Sequence, residues 1–172
     1  MKYKMKSGDT TFIGIANADK YMSFVDEDWS LNQLLKHFGE ETKNANIMVF
    51  QMSVNGIEHS WKVKVTVNQE NKVKGSYRQA QGYIRVTNKE LYLVDYDCLT
   101  MAAQFNHRKV PDQNCSNYRI SIQNGIYQVN VYQFYDVDSN SRTGSRLKDM
   151  LIEFHEVKDI SSSIDTVYWC NF

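Results

Sequence analysis

The stretch IMVFQMSVNGIEHSWKVKVTV, residues 47–67, places an Asn-Gly pair between two alternating apolar runs. Asn and Gly both adopt the positive φ angles of a type I′ turn at little cost, so the pair predicts a two-residue β-hairpin at Asn55-Gly56. The register places Val54 opposite Ile57, Met52 opposite His59, Phe50 opposite Trp61 and Met48 opposite Val63. All of these pairs except the one with His59 are apolar, so one face of the hairpin should be buried.

Two further hairpins are predicted in the same way. In NYRISIQNGIYQVNVYQFYDVD, residues 117–138, a turn at Asn124-Gly125 pairs Ile122 with Tyr127, Ile120 with Val129 and Tyr118 with Val131. In YIRVTNKELYLVDYD, residues 83–97, a turn at Asn88-Lys89 pairs Val86 with Leu91 and Ile84 with Leu93. Additional strands are predicted at TTFIGIA (10–16), RLKDMLIEFHEV (146–157) and IDTVYWCNF (164–172).

One helix has a clear start signal. In SLNQLLKHFGEE, residues 30–41, Ser30 and Gln33 form a capping box, and Gly39 predicts the end. The apolar helical face consists of Leu31, Leu34, Leu35 and Phe38. A second, short helix is predicted in DCLTMAAQF (97–105). Since strands predominate, the chain is predicted to be one mainly β domain over residues 1–172. We expect an antiparallel β-sandwich or a strongly curved sheet built from hairpins, with one N-terminal α-helix.

Charge and cysteine content narrow the class of partner and the compartment. Lys plus Arg equals Asp plus Glu at 20 each, and this neutral balance argues against nucleic acid as a general partner. The N-terminus has no apolar run, so we expect neither a secretory signal nor a membrane anchor. Three widely spaced cysteines, Cys98, Cys115 and Cys170, are expected to be free thiols in the cytoplasm.

No motif predicts catalysis, a cofactor or a metal. YDVDSNSRTG (135–144) has the alternating oxygens of an EF-hand, but Ser141 and Leu147 occupy the sixth and twelfth positions, where Gly and Glu are needed. The segment is therefore interpreted as a turn. A Cys-His pair such as Cys98 with His107, or an enzyme with dispersed catalytic residues, stays open as an alternative.

A basic stripe has two interpretations. It comprises Lys62, Lys64, Lys72, Lys74 and Arg78. Such a stripe could bind phosphates next to stacked bases, or it could be the solvated face of a strand that lysines protect from aggregation. The neutral chain favours the second interpretation.

A set of aromatic and acidic residues is the candidate site for a protein partner. These residues alternate outward on predicted strands, where exposed aromatics are typical of protein-binding surfaces. They are Tyr92, Asp95, Tyr96, Asp97, Tyr132, Phe134, Asp136 and Asp138. A strand buried on both faces would explain the same pattern.

The order of LYLVDYD (91–97) and YRISIQNGIYQVNVYQFYD (118–136) resembles small bacterial immunity and nuclease-inhibitor proteins of the competence protein J type. The resemblance implies a cytoplasmic, non-catalytic inhibitor that neutralises a bacterial toxin, such as a nuclease, by covering its active site. The alternative is a module that binds a small ligand or single-stranded nucleic acid on a sheet face. Its binding site would be lined by Trp61, Tyr83 and His59, or by the lysine stripe.

Overall fold

The computed structural model describes residues 1–6 and 8–170, which form eleven strands, two α-helices and one 3₁₀ turn. The helices are α1 (Leu31–Lys43) and α2 (Tyr96–Gln104), and the 3₁₀ turn is Cys115–Asn117. The strands are β1 (Lys2–Met5), β2 (Phe12–Ala16), β3 (Ile47–Gln51), β4 (Trp61–Val67), β5 (Arg78–Val86), β6 (Glu90–Asp95), β7 (Arg119–Ser121), β8 (Gly125–Gln133), β9 (Tyr135–Asp136), β10 (Ser141–Arg142) and β11 (Met150–Val157).

Two sheets pack face to face. The larger has the strand order β1-β4-β11-β8-β5, and the smaller has the order β3-β2-β6-β7. Their pairings are antiparallel, apart from the parallel contact between β4 and β11. Inward side chains of both sheets form one apolar core, in which Phe50, Trp61 and Phe154 are completely buried. The prediction of a mainly β fold with a helix in the N-terminal part is confirmed.

The three predicted hairpin pairings are wrong. Strands β3 and β4, β5 and β6, and β7 and β8 follow each other in sequence, but the members of each pair lie in different sheets. Each turn therefore carries the chain across the sandwich. The apolar stripes of both strands still face one core, which is why alternation alone could not distinguish crossing from pairing. A type I′ turn needs positive φ at both of its central residues. Gly56 (70°) and Lys89 (57°) have positive φ, but Asn55 and Asn88, the other central residues of these two turns, do not.

The remaining strand predictions have mixed outcomes. TTFIGIA contains β2 and RLKDMLIEFHEV contains β11, as predicted. Within IDTVYWCNF, residues 164–170 form no strand; Tyr168 makes an isolated bridge to Phe50, and the last two residues lie outside the described range. The Tyr168 ring fits where Gly82 has no side chain, since a Cβ there would lie 2.0 Å from the Tyr168 hydroxyl.

Both predicted helices exist, and the capping box is present. Ser30 Oγ accepts a hydrogen bond from the Gln33 amide (3.3 Å), and Gln33 Oε1 accepts one from the Ser30 amide (2.7 Å). The predicted stop at Gly39 is wrong, because α1 continues to Lys43. Gly39 instead permits a close approach: a Cβ there would lie 2.0 Å from the Asp165 carbonyl oxygen.

The helices form a third layer on the smaller sheet. Leu34 and Phe38 of α1 and Leu99 of α2 pack against Val49 and Val94, whose side chains point away from the main core. The outer face of the larger sheet lies on the opposite side of the molecule. Within residues 1–6 and 8–170, neither helix is long and apolar enough to cross a bilayer.

Candidate binding surface

The first half of the predicted aromatic and acidic set lies where β6 meets α2. Asp95 is only 1% exposed, and its Oδ1 accepts a hydrogen bond from the Cys98 amide (2.9 Å), which caps α2. Burial raises the pKa of Asp95, and the Cys98 amide partly offsets this effect. Tyr96 stacks on Phe12 with ring centroids 5.0 Å apart, and exposed Asp97 accepts a hydrogen bond from the Asp9 amide (2.9 Å). Each of these three groups therefore has a structural partner.

The second half lies at and beyond the end of β8. Phe134 and Asp136 are buried, whereas Tyr132 is half-buried on the outer face of the larger sheet. Asp138 accepts hydrogen bonds from Ser53 Oγ (2.6 Å) and the amides of Val54 (2.9 Å) and Asn55 (3.2 Å). Burial alone would raise the pKa of Asp138, but these donors outweigh it and lower the pKa. Asp138 thus orders the turn in which the Asn-Gly hairpin was predicted.

Tyr92 and Tyr132, one from each half of the set, face opposite sides of the molecule. Leu91 and Leu93 point into the main core, so Tyr92 between them faces the helix layer. Val131 also points into the core, so its neighbour Tyr132 faces the opposite side of the molecule. Binding of a partner by any of the eight residues stays a prediction, although Tyr92 and Tyr132 cannot both contribute to one flat patch.

A different set of charges is concentrated on the outer face of the larger sheet. The register of β1 on β4 places Lys2 directly opposite Lys64 and Lys4 directly opposite Lys62. Buried Met5 and Val63 occupy the inward positions, so these four lysines point outward. Cβ atoms of directly opposed residues lie about 4.5–5.5 Å apart, and like charges at that spacing are destabilising.

The segment after β10 extends this surface. Leu147 and Lys148 lie next to β1 and β4 and complete a groove of about 350 Å³. Leu147 is 91% exposed, and Lys148 Nζ lies 5.2 Å from the centre of the Phe134 ring. Burial and the nearby charge of Lys64 lower the pKa of Lys148. We use the name lysine face for Lys2, Lys4, Lys62, Lys64 and Lys148 together with Leu147.

Asp149 fixes the segment that carries Leu147 and Lys148. Its side chain is 2% exposed and accepts hydrogen bonds from the Lys62 amide (2.8 Å) and from Arg142 Nη2 (2.6 Å). The Nε2 atom of His59 lies 3.4 Å from the same carboxylate. Burial alone would raise the pKa of Asp149, but the Lys62 amide, Arg142 and His59 lower it. The face is therefore held in place by a buried charge network.

The predicted basic stripe is only partly exposed to a partner. Lys62 and Lys64 belong to the lysine face, and Lys72 and Lys74 line an adjacent groove beside Lys148. Arg78 instead turns inward and donates to the Gln51 carbonyl (2.6 Å) and Gln133 Oε1 (2.7 Å). Lys2 and Lys4 were not included in the predicted basic stripe, because the four-residue segment KYKM (2–5) was not identified as a strand. Their alternation with Tyr3 and Met5 was the signal that could have revealed it.

The ligand pocket proposed as an alternative does not form. Trp61 is completely buried in the main core, whereas Tyr83 lies on the outer side of β5 and hydrogen-bonds to Ser161. His59 is partly exposed and packs edge-on against Trp61, with ring centroids 4.9 Å apart. These three side chains therefore do not line a common cavity. The lysine face is the surface that can bind an anionic group, through ammonium donors to carboxylate or phosphate oxygens.

Comparison with known proteins reveals similarity of the fold alone. No protein-family model matches it, and no curated protein matches it at a significant level. The protein described as crocagin biosynthetic gene J superposes with a TM-score of 0.56 at 11% identity, covering 92% of this chain and 96% of that one. ComJ from Bacillus subtilis, described as an inhibitor of the DNA degrading activity of NucA, gives a TM-score of 0.47 at 10% identity, covering 91% and 99%. A nuclease inhibitor of the competence protein J type is thus among the structural neighbours, as the sequence resemblance predicted, and the likeness concerns the fold.

Proposed function

We propose that this chain is a non-catalytic inhibitor, an immunity protein that binds a bacterial toxin domain in the cytoplasm and covers its active site. The observation that carries the proposal is the block of opposed lysines on β1 and β4. None of the ammonium groups of the lysine face makes a salt bridge within residues 1–6 and 8–170. A protein surface bearing carboxylates would supply the missing counter-charges.

The energetics support a charged docking surface. Each directly opposed like-charge pair destabilises the sheet by about 0.2–1 kcal/mol, and a bound acidic partner relieves that repulsion. Complementary charge also steers association and raises the on-rate at low salt. Exposed Leu147 lines the same groove and adds an apolar contact beside the charges.

The chemistry of the surface indicates the type of active site that it would fit. Enzymes that use Mg²⁺ or Ca²⁺ hold the ion with oxygen ligands that include carboxylates, so their clefts are acidic when the metal is absent. The ammonium groups of Lys2 and Lys62 would enter such a cleft in place of the cation, with Leu147 packed against its wall.

A charge-reversal pair tests the proposal. In the double variant Lys4→Glu with Lys62→Glu, the two directly opposed residues keep equal charges, so the repulsion within the sheet is retained while its sign changes. The control reverses exposed lysines outside the face, Lys109→Glu with Lys158→Glu. Calorimetric titration against the cognate toxin domain should show an affinity loss of about 100-fold or more for the first pair only. Equal affinities of both double variants would contradict the proposal.

A second function is favoured by the same groove, because lysines also bind phosphates. A single-stranded nucleic acid could follow the lysine face into the adjacent groove with Lys72 and Lys74. Fluorescence anisotropy with a labelled single-stranded oligonucleotide at two salt concentrations separates the two functions. Salt-sensitive binding that is lost in Lys4→Glu with Lys62→Glu would favour nucleic acid. We expect no such binding, because the whole chain has no net positive charge.

A further inference from the structure

Two buried thiols and a carboxylate converge between α2 and the loop that follows it. The Sγ atoms of Cys98 and Cys115 and a carboxylate oxygen of Asp112 all lie within 4.8 Å of one another. Cys98 occupies the first turn of α2, and Cys115 begins the 3₁₀ turn. Both cysteines are buried, whereas Asp112 is only partly so, which leaves a path from solvent. This cluster lies on the helix side of the smaller sheet, apart from the lysine face.

The backbone holds these three side chains in place. The Cys115 amide donates to Asp112 Oδ1 (2.8 Å), and the Asp112 amide donates to Cys98 Sγ (3.3 Å). Asp95 fixes the other side of the cluster, because its carboxylate accepts from the Cys98 amide (2.9 Å). Amide donors to a sulfur and to a carboxylate are the kind of surrounding contacts that orient metal ligands.

We propose that Cys98, Asp112 and Cys115 form a binding site for a thiophilic divalent metal ion, with Zn²⁺ as the ion that fits this donor set. Two thiolates and one carboxylate are ligands that Zn²⁺ accepts, and a water molecule from the exposed side of Asp112 completes a tetrahedron. The thiol protons of Cys98 and Cys115 leave to solvent on binding. Asp95 lies outside the ligand set and orients Cys98.

Sequence spacing and distance both agree with this assignment. Asp112 and Cys115 are separated by two residues, the spacing of the local ligand pairs in many zinc sites, with an aspartate in place of the first cysteine. The motif escaped sequence reasoning because it lacks Cys-x-x-Cys. Zn–S and Zn–O bonds of about 2.3 Å and 2.1 Å place tetrahedral ligands roughly 3.3–3.8 Å apart. Spacings of up to 4.8 Å therefore need a contraction of at most about 1–1.5 Å, which rotation of the Cys98 and Cys115 side chains as well as of Asp112 would provide.

The metal would tie α2 to the chain that leads into β7. Cys98 and Cys115 are 17 positions apart (115 minus 98), and the segment between them includes the exposed residues 106–109. An ion bound to both ends of this segment would stabilise it against local unfolding, since binding to the folded state alone adds stability. This role is independent of the lysine face, so the site and the inhibitor proposal can fail separately.

The test measures metal stoichiometry in the reduced full-length protein. Elemental analysis after dialysis against Zn²⁺, and the charge-transfer absorption of thiolate-bound Co²⁺, should both report one equivalent in the wild type. Cys170→Ser is the matched control, because Cys170 lies outside the cluster, and it should retain the full equivalent. Cys115→Ser should reduce binding below a tenth of an equivalent. Asp112→Asn keeps the acceptor for the Cys115 amide but loses the ligand charge, so we expect at least a tenfold weaker affinity without loss of the fold.

Two outcomes would overturn the site. One is a wild-type protein that binds less than a tenth of an equivalent of Zn²⁺ and Co²⁺ after full reduction. The other is binding that persists unchanged in Cys115→Ser and Asp112→Asn, since the ion would then sit elsewhere. Peptide mapping without reductant identifies the competing use of the thiols. A Cys98–Cys115 disulfide, together with no metal uptake after its reduction, would assign the pair to redox chemistry and refute the metal site.

Discussion

Replacing Asp149 with asparagine tests the charge network that fixes the lysine face. Asp149→Asn keeps the size of the side chain and one acceptor oxygen, but it cannot serve both the Lys62 amide and Arg142. A hydrogen bond to a charged group contributes about 1.5–3 kcal/mol. Arg142 is 29% exposed and can recover some hydration, so we expect the free energy of unfolding to fall by about 2 kcal/mol.

Urea denaturation at neutral pH measures this loss. With an m value of about 2 kcal/mol per molar urea, the midpoint should fall by about 1 M. Asp159→Asn, at an exposed bend, is the control and should change stability by less than about 0.5 kcal/mol.

The pH dependence provides a second readout of the same variant. Because the folded-state pKa of Asp149 is lowered, its stabilising contribution is complete above the unfolded pKa of about 4 and is lost as the pH falls through the folded value. The gap between wild type and Asp149→Asn should therefore be largest near neutral pH and shrink below about pH 4. The reasoning is refuted if Asp149→Asn matches Asp159→Asn at pH 7, or if the gap stays constant down to pH 3.

Three further substitutions test separate features of the fold. Lys2→Glu replaces the repulsion between Lys2 and Lys64 with an attraction. The melting temperature should therefore rise by about 1–3 °C at low salt and return to the wild-type value in 1 M salt. A change that does not depend on salt would contradict the repulsion. Gly39→Ala should lower the free energy of unfolding, measured by urea denaturation, by about 1 kcal/mol or more, because the added Cβ would clash with the Asp165 carbonyl. Increased stability would mean that the helix propensity of alanine outweighs this clash. Ser30→Ala removes the side chain that caps α1 and should lower the free energy of unfolding by about 1 kcal/mol. Ser30→Asp keeps a capping oxygen and should cause no such loss. An equal loss in both variants would show that the cap contributes nothing.

Local signals in the sequence predicted most elements but not their partners. The capping box at Ser30 specified the start of α1 because that contact spans only three residues. The Asn-Gly pairs indicated where the chain turns, but residues 52–60 around the first of them form no strand, and β4 pairs with β1 and β11, which are distant in sequence. A crossing and a hairpin bury the same apolar stripe, so only the complete fold distinguishes them.

The surface features depended on the same long-range pairing. Lys62 and Lys64 were visible as outward residues of one strand, but their opposition to Lys4 and Lys2 exists only because β1 returns to β4. Asp95 and Asp138 were predicted as partner contacts from their outward alternation. In the structure both carboxylates accept hydrogen bonds from backbone amides, as Asx side chains at turns commonly do, and their contact with a partner stays a prediction.

Inhibition of a toxin is the most direct test of the central claim, that the lysine face binds an acidic active site. The activity of the cognate toxin domain is measured with increasing amounts of wild type, of Lys4→Glu with Lys62→Glu, and of Lys109→Glu with Lys158→Glu. We predict that wild type and the control pair inhibit equally at stoichiometric concentration, and that the lysine-face pair needs about 100-fold more protein. Equal inhibition by both pairs, or no inhibition by the wild type, would contradict the account.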